Sequence, residues 1–70
     1  MDWKFVESSN LRAFRYNKSS MSLDVQFKNG STYRYNQVPM SIAKGMENAD
    51  SVGSYFAESV KGTFNFEKLS

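Results

Sequence analysis

Residues 21 to 27, Met21-Ser22-Leu23-Asp24-Val25-Gln26-Phe27, alternate apolar and polar without a break, and Asn29-Gly30 follows. Alternation with a period of two is the pattern of a strand with one buried face. Asn-Gly tolerates the positive φ that a tight hairpin turn requires. Tyr33-Arg34-Tyr35 resumes the alternation, so residues 31 to 37 form the return strand. With a loop of Asn29-Gly30 alone, Gln26 lies opposite Tyr33 and Asp24 opposite Tyr35. Arg34 then falls among Leu23, Val25 and Phe27, where an unpaired guanidinium is costly. With a loop of Lys28-Asn29-Gly30, Phe27 faces Ser31, Val25 pairs with Tyr33, Leu23 pairs with Tyr35, and Arg34 points outward. A slip of one residue inverts every side chain. Burial therefore selects the bulged three-residue loop, with Gly30 left-handed.

Upstream, Leu11 to Asn17 reads as a further strand, closed by the polar turn Asn17-Lys18-Ser19-Ser20. The sole proline, Pro39, divides the chain and suits the first turn of a helix. Ile42, Met46 and Ala49 give that helix one apolar stripe. Asp50-Ser51 breaks it and caps a second helix, whose stripe is Val52, Tyr55, Phe56 and Val60. Gly62 falls where a left-handed C-cap belongs. Thr63-Phe64-Asn65-Phe66 alternates again, as a short last strand would, and Asp2 to Val6 has the composition of an edge strand. The expected fold is α+β: residues 1–70 form one domain, a small antiparallel sheet of three to four strands with two short helices packed on one face.

Composition removes whole classes of function. The chain has 70 residues, no cysteine and no histidine, with a net charge of +2. Disulfides and thiolate metal sites are excluded, and so are the commonest general base and transition-metal ligand. The carboxylates Asp2, Glu7, Asp24, Glu47, Asp50, Glu58 and Glu67 are scattered, with no spacing that gathers two on one element. There is no phosphate-binding loop of the Walker type. No apolar run approaches the ~18 residues of a membrane span, and no cleavable leader is legible. The reading is a cytoplasmic, non-enzymatic chain with no metal, cofactor, membrane or small-molecule substrate.

Four features carry what functional signal there is, each with two readings. Tyr33-Arg34-Tyr35 is either a stacking platform for RNA bases with a phosphate-binding cation, or two core tyrosines flanking a solvated arginine; the register argument favours the second. Arg12, Arg15, Lys18, Lys28, Arg34 and Lys44 are either one electrostatic footprint on an outer surface or ordinary solvated charge. Glu7-Ser8-Ser9-Asn10 either shapes a turn through side-chain bonds to the backbone or touches a ligand. Ser51-Val52-Gly53-Ser54 is either a cap with a close-packed glycine or an anion cradle built from Ser51, Gly53 and Ser54.

The order Val6-Glu7-Ser8-Ser9-Asn10-Leu11, Tyr16, Leu23-x-Val25-x-Phe27, Asn29-Gly30, Tyr33-Arg34-Tyr35, Val38-Pro39, Ala49-Asp50-Ser51-Val52-Gly53-Ser54-Tyr55-Phe56 and Val60-Lys61-Gly62 resembles the KTSC domain, a small module found at the C-terminus of some lysyl-tRNA synthetases and as short bacterial and phage proteins. The resemblance runs from about Val6 to Leu69. It departs at Arg15, where members often carry glycine. It implies no catalytic activity, and it suggests RNA binding only through the synthetase context, which is association and not mechanism.

Two functions follow as expectations. The first is an RNA- or other nucleic-acid-binding module acting through Arg12, Arg15, Tyr33, Arg34 and Tyr35. The alternative is a protein-interaction module, self-associating or a phage- or prophage-encoded modulator of a host protein. The alternative rests on aromatics that make up 16% of the chain, with Trp3, Phe5 and Tyr16 in excess of what so small a core covers.

Overall fold

The computed structural model describes residues 3–70. The chain runs β1 (Lys4–Phe5), β2 (Leu11–Asn17), β3 (Ser22–Phe27), β4 (Thr32–Tyr35), α1 (Met40–Asn48), α2 (Val52–Ser59) and β5 (Phe66–Lys68). The strands make one sheet in the order β1-β2-β3-β4-β5, antiparallel at every step. The fold is α+β as expected, with five strands instead of three to four. Alternating segments at both ends of the chain pair onto the sheet edges. At the N-terminus this is β1; Asp2, included in the expected edge strand, lies outside the described residues. At the C-terminus the strand is displaced toward the end of the chain. The Thr63 and Phe64 N–H groups are taken by the Val60 carbonyl, at 3.1 and 3.3 Å, in the turn that closes α2, so pairing starts only at Phe66.

The central hairpin has the bulged register. Val25 lies opposite Tyr33, Leu23 opposite Tyr35 and Asp24 opposite Arg34. The Phe27 N–H donates to the Ser31 carbonyl at 2.8 Å, and Gly30, at φ +95°, donates to the Phe27 carbonyl at 3.0 Å. Only glycine takes that conformation without strain. The Asn29 side chain secures the turn by accepting from the Ser31 N–H at 3.0 Å. Between β2 and β3 the ladder is interrupted at Leu11/Ala13, which leaves Arg12 as the extra residue of a bulge.

The link from β4 to β5 contains both helices. They cover one face of the sheet, and Leu11, Phe14, Tyr16, Leu23, Val25 and Tyr35 pack there against Val38, Ala43, Met46, Phe56 and Val60. The Pro39 carbonyl starts α1 by accepting from Ile42 N–H at 3.0 Å. In α1 the buried residues are Ala43 and Met46; Ala49, expected in the stripe, is the C-cap. Ser51 caps α2 by accepting from Ser54 N–H at 3.3 Å, and Phe56 and Val60 are buried. The Tyr16 hydroxyl donates to the Val38 carbonyl at 2.6 Å, tying β2 to the segment that leads into α1.

Candidate functional site

Strand β4 has two unlike sides. Tyr33 and Tyr35 face the helices; Arg34 faces the open side of the sheet. The rings and the guanidinium therefore do not share one surface, and the flat platform of the first reading of Tyr33-Arg34-Tyr35 is not formed.

On the helix side, Phe27, Tyr33, Tyr35, Phe56 and Phe66 form a chain of touching rings, with centroids 5.4–5.7 Å apart. The Phe27–Tyr33, Phe27–Phe56 and Tyr35–Phe56 pairs are edge-to-face, at 72–84°, the arrangement that the ring quadrupoles favour. These rings line a groove of about 360 Å³ that also touches Asn10, Asn29, Ser31, Gly53, Ala57 and Lys61. The α2 residues Gly53, Phe56 and Ala57 recur at three and four, so the groove follows one stripe of the helix for about 6 Å at 1.5 Å per residue and ends at Lys61 in the turn after it. Phe56 and Tyr35 are buried at its floor. Tyr33 is half-buried, and Phe66, 58% exposed on edge strand β5, stands at its mouth. Burial, with the neighbouring Tyr33 phenol, pushes the Tyr35 hydroxyl above its ordinary pKa, so it stays a protonated donor. Among the described residues, the only charged side chain in the lining is Lys61. Lys28, in the hairpin turn, lines an adjoining cavity that shares Asn10, Phe27 and Asn29 with the groove.

The two sequence motifs with ligand-binding readings meet beside this groove. Ser8 Oγ accepts from the N–H groups of Asn10 and Leu11, each at 3.3 Å. A β-carbon at Gly53 would lie 2.7 Å from the same oxygen, so a larger residue at the start of α2 would push Ser8 Oγ off these two N–H groups. Ser51 Oγ, besides capping, donates to Ser54 Oγ at 3.1 Å. Turn formation and capping thus use Ser8, Ser51 and Ser54, and close packing uses Gly53.

On the open side, cross-strand neighbours form a row of alternating sign: Arg15, Asp24, Arg34, Glu67. Asp24 is only 4% exposed. Arg34 Nε donates to its Oδ1 at 2.8 Å and Nη2 to Oδ2 at 3.2 Å, while Arg15 Nε donates to Oδ2 at 2.9 Å. Burial alone would raise the Asp24 pKa, but the hydrogen bonds and charges of Arg34 and Arg15 outweigh it and hold the carboxyl below the usual range. Reciprocally, Asp24, with Glu67 behind it, raises Arg34. The Arg15 guanidinium lies 4.4 Å from the Trp3 ring centroid, a cation–π contact at the end of the row.

Of the six basic residues considered together, Arg15 and Arg34 meet around a shared carboxylate, and Arg15, Lys18 and Lys44 line one cavity that also holds Glu47; Arg12 and Lys28 join neither group. Arg12 is exposed at the β2 bulge, Lys18 and Lys28 lie in turns, and Lys44 lies on α1 beside Lys4 and Glu47. Phe27, Phe66, Lys61 and Asn10 escaped the sequence reading as a set. Their association depends on how α2 and β5 approach the hairpin. Among the described residues no cluster of three or more acidic groups could hold a metal, and no helix is long and apolar enough to cross a membrane.

A five-strand antiparallel sheet with both helices between its last two strands, and an aromatic groove under the second helix, defines a small single-sheet module. Residues 7–64 match the model of the KTSC domain, and the chain belongs to that family. Over 64 residues, 91% of the chain, it is 39% identical to a lysine–tRNA ligase of Nostoc sp., of which it covers 11%, and 39% identical to one of Nostoc punctiforme, also covering 11%. The chain thus spans about one-tenth of the length of these relatives. An uncharacterized protein of Stutzerimonas stutzeri is 36% identical over 56 residues, with 80% of this chain and 79% of that one covered. The crystal structure of a KTSC domain protein from Yersinia pestis superposes with a TM-score of 0.92 at 30% identity, covering 99% of this chain and 97% of that one.

Proposed function

We propose that this chain is a non-enzymatic module that binds single-stranded RNA through the groove under α2. The observation that carries the reading is the composition of the groove. Phe66 and the half-buried Tyr33 offer ring surface at its mouth, backed by Phe27, Tyr35 and Phe56, and among the described residues Lys61 is the sole charged group in the lining, with Lys28 next to it. Unpaired bases stack on aromatic faces, and lysines hold the phosphates between them. Tyr33 and Tyr35 keep a role here as groove walls, while Arg15 and Arg34 are spoken for by Asp24. Arg12, exposed at the β2 bulge, is left as a peripheral phosphate contact. That similar segments occur in lysine–tRNA ligases, whose substrate is an RNA, agrees with this ligand class.

The test is a titration of the protein against transfer RNA and single-stranded RNA at ~50 and ~200 mM salt, since binding by phosphate contacts weakens as salt rises. Micromolar binding at low salt that fades at high salt, and that drops in Tyr33→Ala and Lys61→Ala, supports the reading. Absence of binding at low salt removes it. A protein-interaction role has its own support in Phe5, 69% exposed on edge strand β1, and Leu69, 42% exposed after β5. Sedimentation at tens of micromolar would reveal self-association through them.

A further inference from the structure

We infer that the groove is built for one unpaired purine, adenine before guanine, an inference that rests on the RNA-binding reading above. The five rings already touch one another at 5.4–5.7 Å. No gap between them admits an intercalated base, so a base is held flat against the exposed Phe66 ring at the mouth, with Tyr33, tilted 59° to it, at the edge of the base. That contact grows with base area, and a purine offers two fused rings where a pyrimidine offers one. The polar groups of the lining then read the edge of the base. Asn29 Oδ1 already accepts from the Ser31 N–H, so its amide donors are the groups of Asn29 that the fold leaves open. The backbone of Asn10 is engaged at both ends, its N–H by Ser8 Oγ and its carbonyl by the Lys28 N–H. Its side-chain amide makes no hydrogen bond among the described residues. A free carboxamide presents a donor and an acceptor side by side, the pair that adenine matches at N6 and N7. Charge agrees as well: among the described residues no carboxylate lines the groove, Lys61 lines it, and Lys28 lines the adjoining cavity.

The experiment compares two fluorescent RNA 11-mers by anisotropy at ~50 mM salt, eleven uridines and the same strand with adenosine at the centre. The central adenosine is expected to tighten binding about fivefold or more, within the range of one added stacked and hydrogen-bonded base. Asn10→Ala should reduce that ratio below about twofold, and Phe66→Ala should weaken both strands. Both residues are exposed, and Asn10→Ala keeps its backbone bonds; far-ultraviolet circular dichroism checks that each variant is folded. Equal affinity for the two strands, or a ratio untouched by Asn10→Ala, overturns the base preference and leaves RNA binding standing. No binding of either strand, nor of transfer RNA, overturns both.

Discussion

Tyr33 and Tyr35 turn toward α2, whereas Arg34 between them turns to the open face and lies across Asp24. The two sides of the sheet thus carry opposite kinds of polar resource. The open face has more charge, but each charge on it has a neighbour of opposite sign: Arg15, Asp24, Arg34 and Glu67 sum to zero. The groove side has less charge, with Lys61 alone in the lining, and none of it is cancelled there. A basic residue is therefore a poor guide to an anion surface until its register partner is known. In this sheet the arginines stabilise a buried carboxylate, and the lysines near the groove remain free to meet a phosphate.

Five substitutions and one change of pH test that contrast, from the largest effect to the smallest. Phe56→Ala empties the groove floor. The ring is 4% exposed and touches Phe27 and Tyr35, so its loss should cost about 3–5 kcal/mol. That is much of what so small a chain can possess, and the urea midpoint should fall toward zero. Asp24→Ala strikes the other face. It removes charge-assisted hydrogen bonds from two arginines and should cost about 2–3 kcal/mol, lowering Tm by roughly 10–20 °C at 4–8 °C per kcal/mol. It also leaves the row cationic, so RNA should bind more tightly with a steeper salt dependence. If Asp24→Ala lost stability yet bound RNA no better, neutralisation would not be why the open face is silent.

Acid should act on the same carboxylate. Its folded pKa lies below the unfolded value of 3.8, so its contribution is complete above the unfolded pKa and is lost as pH falls through the folded one. Stability of the natural chain should therefore drop below about pH 4 by more than that of Asp24→Ala, measured as urea midpoints against pH. Next is a pair of tyrosines. Tyr16→Phe deletes the buried bond to the Val38 carbonyl and should cost about 1 kcal/mol, whereas Tyr35→Phe, at the floor of the groove, removes no such bond among the described residues and should cost less than half as much. Least of all, Lys4→Ala breaks an ion pair with Glu47 at 3.1 Å in which both side chains are about half exposed, and should change stability by about 0.5 kcal/mol or less.

Much of the sheet is readable from one argument about burial. Keeping Arg34 out of the core determined the hairpin register, and the same register places Asp24 opposite Arg34. The burial of Asp24 was not legible, because alternation assigns a polar residue to solvent. Here two long guanidinium side chains lie over it from both neighbouring strands, so a polar position on an uncovered face is closed off by other polar residues. Ala43 and Ala49 show a similar limit in α1: both fit an apolar stripe, and only the point at which the helix ends decides which is inside. The groove was the least legible part. Phe66 was expected to end a strand and instead begins one, because the turn after α2 uses the N–H groups of Thr63 and Phe64. No local pattern reports that Phe66 then reaches Tyr33 and Tyr35.

The central claim is that the aromatic groove, and not the charged row, meets RNA. Nuclear magnetic resonance tests it directly, by following the ring resonances of Tyr33 and Phe66 and the Nε–H resonances of Arg15 and Arg34 while single-stranded RNA is added. The expected result is a saturable shift of the two rings and of the Lys61 side chain, with both arginine signals unmoved. Shifts confined to the arginine Nε–H groups, with the rings unchanged, would contradict it.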